Sequence, residues 1–183
     1  MAISVGTTYG DGSGHHNVWL VKTSADGTTL WYRTFDLGEA RGHAIRKTND
    51  SAYVIIADIM QDGHQVIALI KCDEAGNPAP WAGLSNGSGD FWCGEVQQTR
   101  DGGFMVAGTR RLDSGSGGDF CLIKFGGTGS VLWTKTFGSG DDDCRSGGQT
   151  ADGGYILCGS TATPGVDGCR VCLVKTDPDG NIQ

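Results

Sequence analysis

The sequence has no basic stripe and no apolar run long enough to cross a bilayer. Its 14 Lys and Arg are outnumbered by 21 Asp and Glu, the two signs are interspersed, and the formal net charge is −7. Without a concentrated positive surface, no nucleic-acid partner is expected. The longest nearly apolar stretch, Ala52 to Met60, is broken by Asp58 and falls far short of a membrane span, so no membrane partner is expected either. The opening MAISVGTT has neither the charged nor the apolar region of a signal peptide. Proline is scarce at 4 residues, whereas glycine reaches 32. The glycines recur at fixed positions between apolar runs, which makes them turn punctuation and not low-complexity disorder.

Local catalytic and metal signatures are also missing. There is no GxSxG elbow, and the glycine-rich stretches GDGSGHH and SGSGG lack the strand-to-helix setting that cradles phosphate. No HExxH occurs. Cys169 and Cys172 have CxxC spacing with no second pair, and strand alternation points them to opposite faces. Seven cysteines is an odd number, so at least one thiol stays outside any intrachain pairing. Cys121 and Cys172 fall where an earlier copy of the repeat has Trp19, Cys158 where another has Ala107, and Cys93 and Cys144 where a third has Gly42. Cysteine here replaces small or apolar strand residues, so buried free thiols are expected ahead of disulfides.

What the chain does have is a period of about fifty residues. TADGGYILCGST begins at Thr150, TRDGGFMVAGT at Thr99 and TNDSAYVIIAD at Thr48, so Asp50, Asp101 and Asp152 stand 51 apart. A second half recurs as WLVKTSADGTTLW, ALIKCDEAGNPAPW and CLIKFGGTGSVLW, which places Lys22, Lys71, Lys124 and Lys175, and Trp31, Trp81 and Trp133, in matching positions. A tryptophan that occurs once per repeat reads as a packing residue. A period of this length indicates a propeller or solenoid array.

Each repeat divides into four strand-length runs of β-branched, aromatic and aliphatic residues separated by short Gly/Asp turns. Such tight turns join antiparallel neighbours, which favours propeller blades over parallel solenoid coils. The expected fold is therefore an all-β propeller of four-stranded antiparallel blades. One repeat domain spans residues 1–183, with a partial blade at 1–35, blades at 41–86 and 92–138, and a partial blade at 143–183. The total is fourteen strands, or about three and a half blades. An open arc of that size leaves apolar faces uncovered. Closure with a second copy into one ring is the favoured solution. An imperfect four-blade ring, or missing blades in a longer parent, are the others. Because the chain opens in mid-repeat, the lack of a leader assigns no compartment.

The runs DGGYILCGST, DGGFMVAGT, LVKTDPDGN and WTKTFGSGDDD resemble the bacterial and archaeal β-propeller repeats written TxDGGYIVAGxT, LIKxDxxGNxxW and KTFGG, of the SBBP type. The resemblance covers nearly the whole chain. It departs at NDSAYVIIAD and after Trp81, where AGLSNGSG stands, and those departures concern local turn geometry. What the resemblance implies is a propeller of extracellular or cell-surface proteins, mostly without an assigned activity.

Alternation sorts the loops onto two ends of the blades. The a-to-b and c-to-d turns are short and uniform, whereas the d-to-a and b-to-c loops vary, and variable loops on a rigid frame are where binding resides. The variable end collects His15 and His16, His43, His64, the repeated acids Glu39, Asp90 and Asp141, and Asp142 and Asp143 beside the last. A repeated acid is read first as a framework group that accepts backbone amides of its own turn or the next blade. Phe91 and Trp92 break the repeat and are read two ways: as an apolar pair that stacks on a sugar ring or a partner's side chain, or as filler between blades. No cofactor is expected. Zinc at the loop histidines lacks an HExxH or a matching cysteine pair, and calcium has oxygen ligands on offer in Asp177, Asp179 and Asn181 and in the run Asp141–Asp143, but DPDGN lacks EF-hand length and reads better as a turn.

The sequence thus describes a non-enzymatic binding or scaffold module for protein or carbohydrate, with Phe91, Trp92, His15, His16, Asp141, Asp142 and Asp143 as candidate contacts. The rival is a glycan or ester hydrolase built from acids and histidines of the same end, including triads that draw on Ser13 or Ser116.

Overall fold

The structure, a computed structural model, describes residues 1–9, 12, 14–85, 89–111, 117–138, 141–162 and 168–183, with the side chains of 80–82 outside the description. Ser13 and Ser116, and the side chain of Trp81, therefore lie outside the described residues. The described chain is all β. It contains β1 (Ala2–Thr8), β2 (Asn17–Thr23), β3 (Thr29–Phe35), β4 (Ala40–Lys47), β5 (Tyr53–Gln61), β6 (His64–Cys72) and β7 (Pro78–Leu84), then β8 (Asp90–Gln98), β9 (Phe104–Arg111), β10 (Asp119–Phe125), β11 (Val131–Phe137), β12 (Asp141–Gln149), β13 (Tyr155–Ala162) and β14 (Cys169–Thr176). Among the described residues no helix is long and apolar enough to cross a membrane.

Four antiparallel sheets take the strands in sequence order: sheet 1 is β1–β3, sheet 2 is β4–β7, sheet 3 is β8–β11 and sheet 4 is β12–β14. Three apolar seams join them. Val18 and Leu20 of sheet 1 meet Tyr53, Ile55, Ala57, Ala68 and Ile70 of sheet 2. The opposite face of sheet 2, with Val54, Ile56, Ile67 and Leu69, meets Phe104, Val106, Cys121 and Ile123 of sheet 3. Met105, Ala107, Phe120 and Leu122 on the far face of sheet 3 then meet Tyr155 and Leu157 of sheet 4. Sheets 2 and 3 are covered on both faces, which is why β5, β6, β9 and β10 read as continuous apolar runs and not as alternation.

Polar clasps recur with the period. In three copies a threonine closes a tight turn by donating its amide four residues on, Thr48 to Ala52, Thr99 to Gly103 and Thr150 to Gly154, each at 2.9 Å. Its hydroxyl donates to the turn's aspartate, Asp50, Asp101 or Asp152, at 2.5 Å. The repeat lysine from two strands away then pairs with that aspartate: Lys71 with Asp50 at 2.5 Å, Lys124 with Asp101 at 3.0 Å and Lys175 with Asp152 at 2.7 Å. Lys71 above all, followed by the Thr48 hydroxyl, holds the Asp50 carboxyl down to about 2. At Asp101 burial opposes, yet hydrogen bonds from Thr99, Lys124 and the Gly103 amide prevail, and the carboxyl again lies at about 2.

The departure at NDSA leaves this turn intact. Ser51 takes φ 64°, the left-handed geometry that Gly102 (80°) and Gly153 (88°) adopt in the other copies. The stretch QDGH also proves shorter than a loop. Asp62 (φ 52°) and Gly63 (φ 84°) form a two-residue turn, with Gln61 and His64 already paired in the ladder.

Strands begin earlier at the variable end than the turn residues suggest. Asp141, Asp142 and Asp143 pair with Ala162, Thr161 and Ser160, and Asp90, Phe91 and Trp92 with Arg111, Arg110 and Thr109. These residues belong to strands and not to connecting loops, and at two of the strand starts an amide is captured across the seam: Ala40 donates to His16 O at 2.8 Å and Asp142 to Gly118 O at 2.7 Å. A bulge then falls at the same place in the first strand of sheets 2, 3 and 4, between Gly42 and Ala44, Cys93 and Glu95, and Cys144 and Ser146. The unpaired residues are His43, Gly94 and Arg145, and a bulge re-aims the side chain it carries.

Candidate functional site

The repeated acids at the variable end are first of all staples between sheets. Glu39 accepts the His16 amide at 3.1 Å, Asp90 the Gln65 amide at 3.4 Å and Asp141 the Gly118 amide at 3.3 Å. In every case the donor belongs to the preceding sheet. That bond, ahead of every other contact, holds the Glu39 carboxyl below its ordinary range. At the opposite end Gln98 accepts the Asn49 amide at 2.8 Å and Gln149 the Arg100 amide at 3.0 Å. The second and third seams are thus tied by side-chain acceptors at both ends of their apolar cores, and the first by Glu39 at the variable end.

Between these ties, at the variable end of sheets 2 to 4, lies a cleft of about 710 Å³ whose walls include His43, Trp92, Arg111, Asp143 and Arg145. Trp92 is 38% exposed, while its neighbour Phe91 is 4% exposed and packs into the seam between sheets 2 and 3. The paired reading of Phe91 and Trp92 therefore splits. Strand alternation turns one ring into the core as filler and the other toward the cleft. The Arg111 guanidinium lies 5.2 Å from the centre of the Trp92 ring and 3.7 Å from Asp141. That arrangement fixes the indole by a cation–π contact and leaves it presented on one side.

The three aspartates have three different environments. Asp141 is the staple just described. Asp143 is 2.6 Å from Arg145 and accepts the Thr109 hydroxyl at 3.3 Å, and Thr109 in turn accepts the Cys144 amide at 2.8 Å. Asp142 is 6% exposed, and its Oδ1 is buried without a hydrogen-bond partner. Asp119 lies nearby, and its carboxyl is pushed up, chiefly by burial and then by the charge of Asp142.

His43, on its bulge, reaches Asp58 with 2.6 Å between Nε2 and Oδ2, and the Cys93 thiol donates to the other oxygen of Asp58 at 3.3 Å. The order is thiol, carboxylate, imidazole. A nucleophilic relay needs the imidazole in the middle, so this trio does not activate the thiol. Burial, followed by the Asp58 charge, also pushes the Cys93 thiol far above its ordinary value. Asp58 was visible beforehand only as the one charge in an apolar strand.

The paired histidines are elsewhere. His15 Nε2 is 2.8 Å from Asp36, and His16 Nδ1 is 2.7 Å from Glu39 with its ring 5.0 Å from that of Tyr9 at a tilt of 51°, all beside the seam between sheets 1 and 2. The structure brings Trp92 and Asp141–Asp143 together and leaves His15 and His16 out of the cleft. The carboxylate of DPDGN is used within its turn: Asp177 accepts the amides of Asp179 and Asn181 at 3.0 and 2.8 Å, as Asp73 accepts those of Ala75 and Asn77 at 2.9 and 2.8 Å. Among the described residues no three His, Cys, Asp or Glu side chains are grouped so as to hold a metal ion. No family model matches this chain, and no curated protein matches it.

Proposed function

We propose that the chain is a propeller-type binding module whose ligand-contacting surface is the cleft around Trp92. The observation that carries this reading is the half-exposed indole, held from one side by Arg111 and bordered by the Asp143–Arg145 pair. A flat apolar ring beside fixed polar groups suits a pyranose, whose C–H face stacks while its hydroxyls bond to charged neighbours. The recurrence of four antiparallel sheets along one chain, and the repeat motifs, support the propeller arrangement and, through the resemblance, an extracellular or surface setting.

Soluble oligosaccharides of several backbone types, titrated calorimetrically against the wild type and Trp92→Ala, test the reading. Binding that is lost in the variant, with unchanged thermal stability, supports it. Binding that the variant retains, or no binding by any oligosaccharide, overturns the carbohydrate form.

A hydrolase is the second reading, and one observation favours it: Asp119, with its raised carboxyl, beside the buried Asp142, whose Oδ1 has no hydrogen-bond partner. A neighbouring pair of carboxyl groups is what general acid–base hydrolysis of a glycoside requires. Turnover of aryl glycosides or aryl esters by the wild type and its loss in Asp142→Asn would establish it. Equal rates in the two would remove it.

A further inference from the structure

Sheets 1 and 4 each keep one face bare, and these faces are the two halves of the seam that joins every other pair of sheets. On sheet 4 the bare positions are Ile156, Cys158, Val171 and Leu173, with Val171 81% and Leu173 63% exposed. They are the counterparts of Met105, Ala107, Phe120 and Leu122 on sheet 3, which are buried against sheet 4. On sheet 1 the face turned away from sheet 2 carries Ser4 and Trp19, which are exposed, and Gly6 and Val21, which are half-buried, with the exposed Tyr32 paired beside Val21. They are the counterparts of Ile55, Ala57, Ala68 and Ile70 on sheet 2, buried against sheet 1. Sheet 4 therefore ends in a donor face and sheet 1 begins with the matching acceptor face.

The side-chain sizes at the centre of this seam are matched between the two bare faces. Across the third seam the Phe120 ring lies over Gly159, which pairs with the small Cys172. Across the second the corresponding residues are Ile67 and Cys121, and across the first Val18 and Ala68. On the bare faces the large group changes sides: the Phe120 position is Val171, and the Cys172 position is Trp19. Gly6, paired with Trp19, has open space above it, whereas Gly159 at the same position is covered by Phe120. A valine over Gly6 beside a tryptophan fills the volume that a phenylalanine beside a cysteine fills at the third seam.

The geometry points to a second copy of this chain as the occupant: the sheet 4 face of each copy docks on the sheet 1 face of the other, so that two identical head-to-tail seams close one ring. The argument rests on the recurrence of the seams and does not depend on what the Trp92 cleft binds. A head-to-tail contact made twice gives a closed two-fold assembly. Both faces are bare within one chain, so the chain does not close on itself.

Light scattering coupled to size exclusion, in reducing buffer so that Cys158 and Cys169 form no cross-links, tests the proposal over a wide range of concentrations. The expected mass is about twice the 19.1 kDa of one chain. Val171→Phe adds a ring where Trp19 of the other copy already fills the space, and should weaken dimerisation roughly ten- to hundredfold. Phe120 occupies the same position in sheet 3, so the variant keeps its fold, which circular dichroism verifies. The double variant Trp19→Ala with Val171→Phe restores the size match of the third seam and should recover the dimer. A wild-type mass of one chain at every concentration overturns the proposal, as does any stable multiple other than two. A Val171→Phe protein that dimerises like the wild type also overturns it, and so does a double variant no better than the single one.

Discussion

Lys124 Nζ sits 3.0 Å from the Asp101 carboxylate, and it also donates to Thr99 Oγ1 at 2.9 Å and to Phe125 O at 3.1 Å. The ammonium is buried whereas the carboxylate is largely open to solvent. Removing the acid therefore leaves a buried cation short of its counter-charge. Asp101→Ala should lower unfolding free energy by about 1–2 kcal/mol in urea titrations, the exposed half of the pair screening part of the loss.

The same clasps set an acid limit. Asp50 and Asp101 have folded values of about 2, below the ordinary value of about 3.9 for an unfolded chain. A depressed carboxyl contributes stability that is fully present above the unfolded value and lost as pH falls through the folded one. The melting temperature should therefore hold steady above about pH 5 and fall steeply between about pH 4 and 2. In the double variant Asp50→Asn with Asp101→Asn the fall in that window should be visibly shallower.

Ser51 occupies a left-handed position that the other copies give to glycine. A side chain there costs about 1 kcal/mol. Ser51→Gly restores the repeat's own solution and should raise stability by about 0.5–1 kcal/mol, part of the gain being offset by backbone entropy. Differential scanning calorimetry would register it.

Gly159 carries the opposite constraint. A Cβ there would overlap the Asp143 carbonyl and the Phe120 ring. Gly159→Ala should destabilise by about 1–3 kcal/mol, the usual range for overpacking. The matched control Gly6→Ala, at the same position of sheet 1, has open space in the single chain and should leave a monomer's stability nearly unchanged.

Thiol chemistry separates the cysteines. Burial above all pushes Cys121 and Cys144 up to about 12, and Cys72 up to about 11, whereas Cys158 and Cys169 are exposed. An aromatic disulfide reagent at mildly alkaline pH should modify Cys169 rapidly and reach Cys72, Cys121 and Cys144 only on unfolding. Mass spectrometry of the modified peptides would give the order.

Much of the frame was legible in the sequence, because strand alternation and turn glycines act over a few residues. The 51-residue spacing of Asp50, Asp101 and Asp152 marked the turns, and the Lys spacing marked the third strand of each unit. That these aspartates and lysines pair was not legible, since the partners are some twenty residues apart and only the ladder register brings them together. The bulges at His43, Gly94 and Arg145 were hidden for the same reason: an extra residue in one strand is defined by its neighbour, not by its own segment. Register also divided Phe91 from Trp92, which two adjacent aromatic letters could not reveal. His15, His16 and Asp141–Asp143 looked like one cluster because all follow variable turns. Sheets 2 and 3 lie between them.

The staples between sheets carry a consequence for descent. Glu39, Asp90 and Asp141 each reach back to an amide main-chain group, so this tie is indifferent to the side chain at the donor position. Unequal recombination between such units therefore keeps the tie at a new junction, and only the apolar residues that meet in the seam have to be refitted. Selection can then act on the number of units in the array separately from the residues that line its cleft.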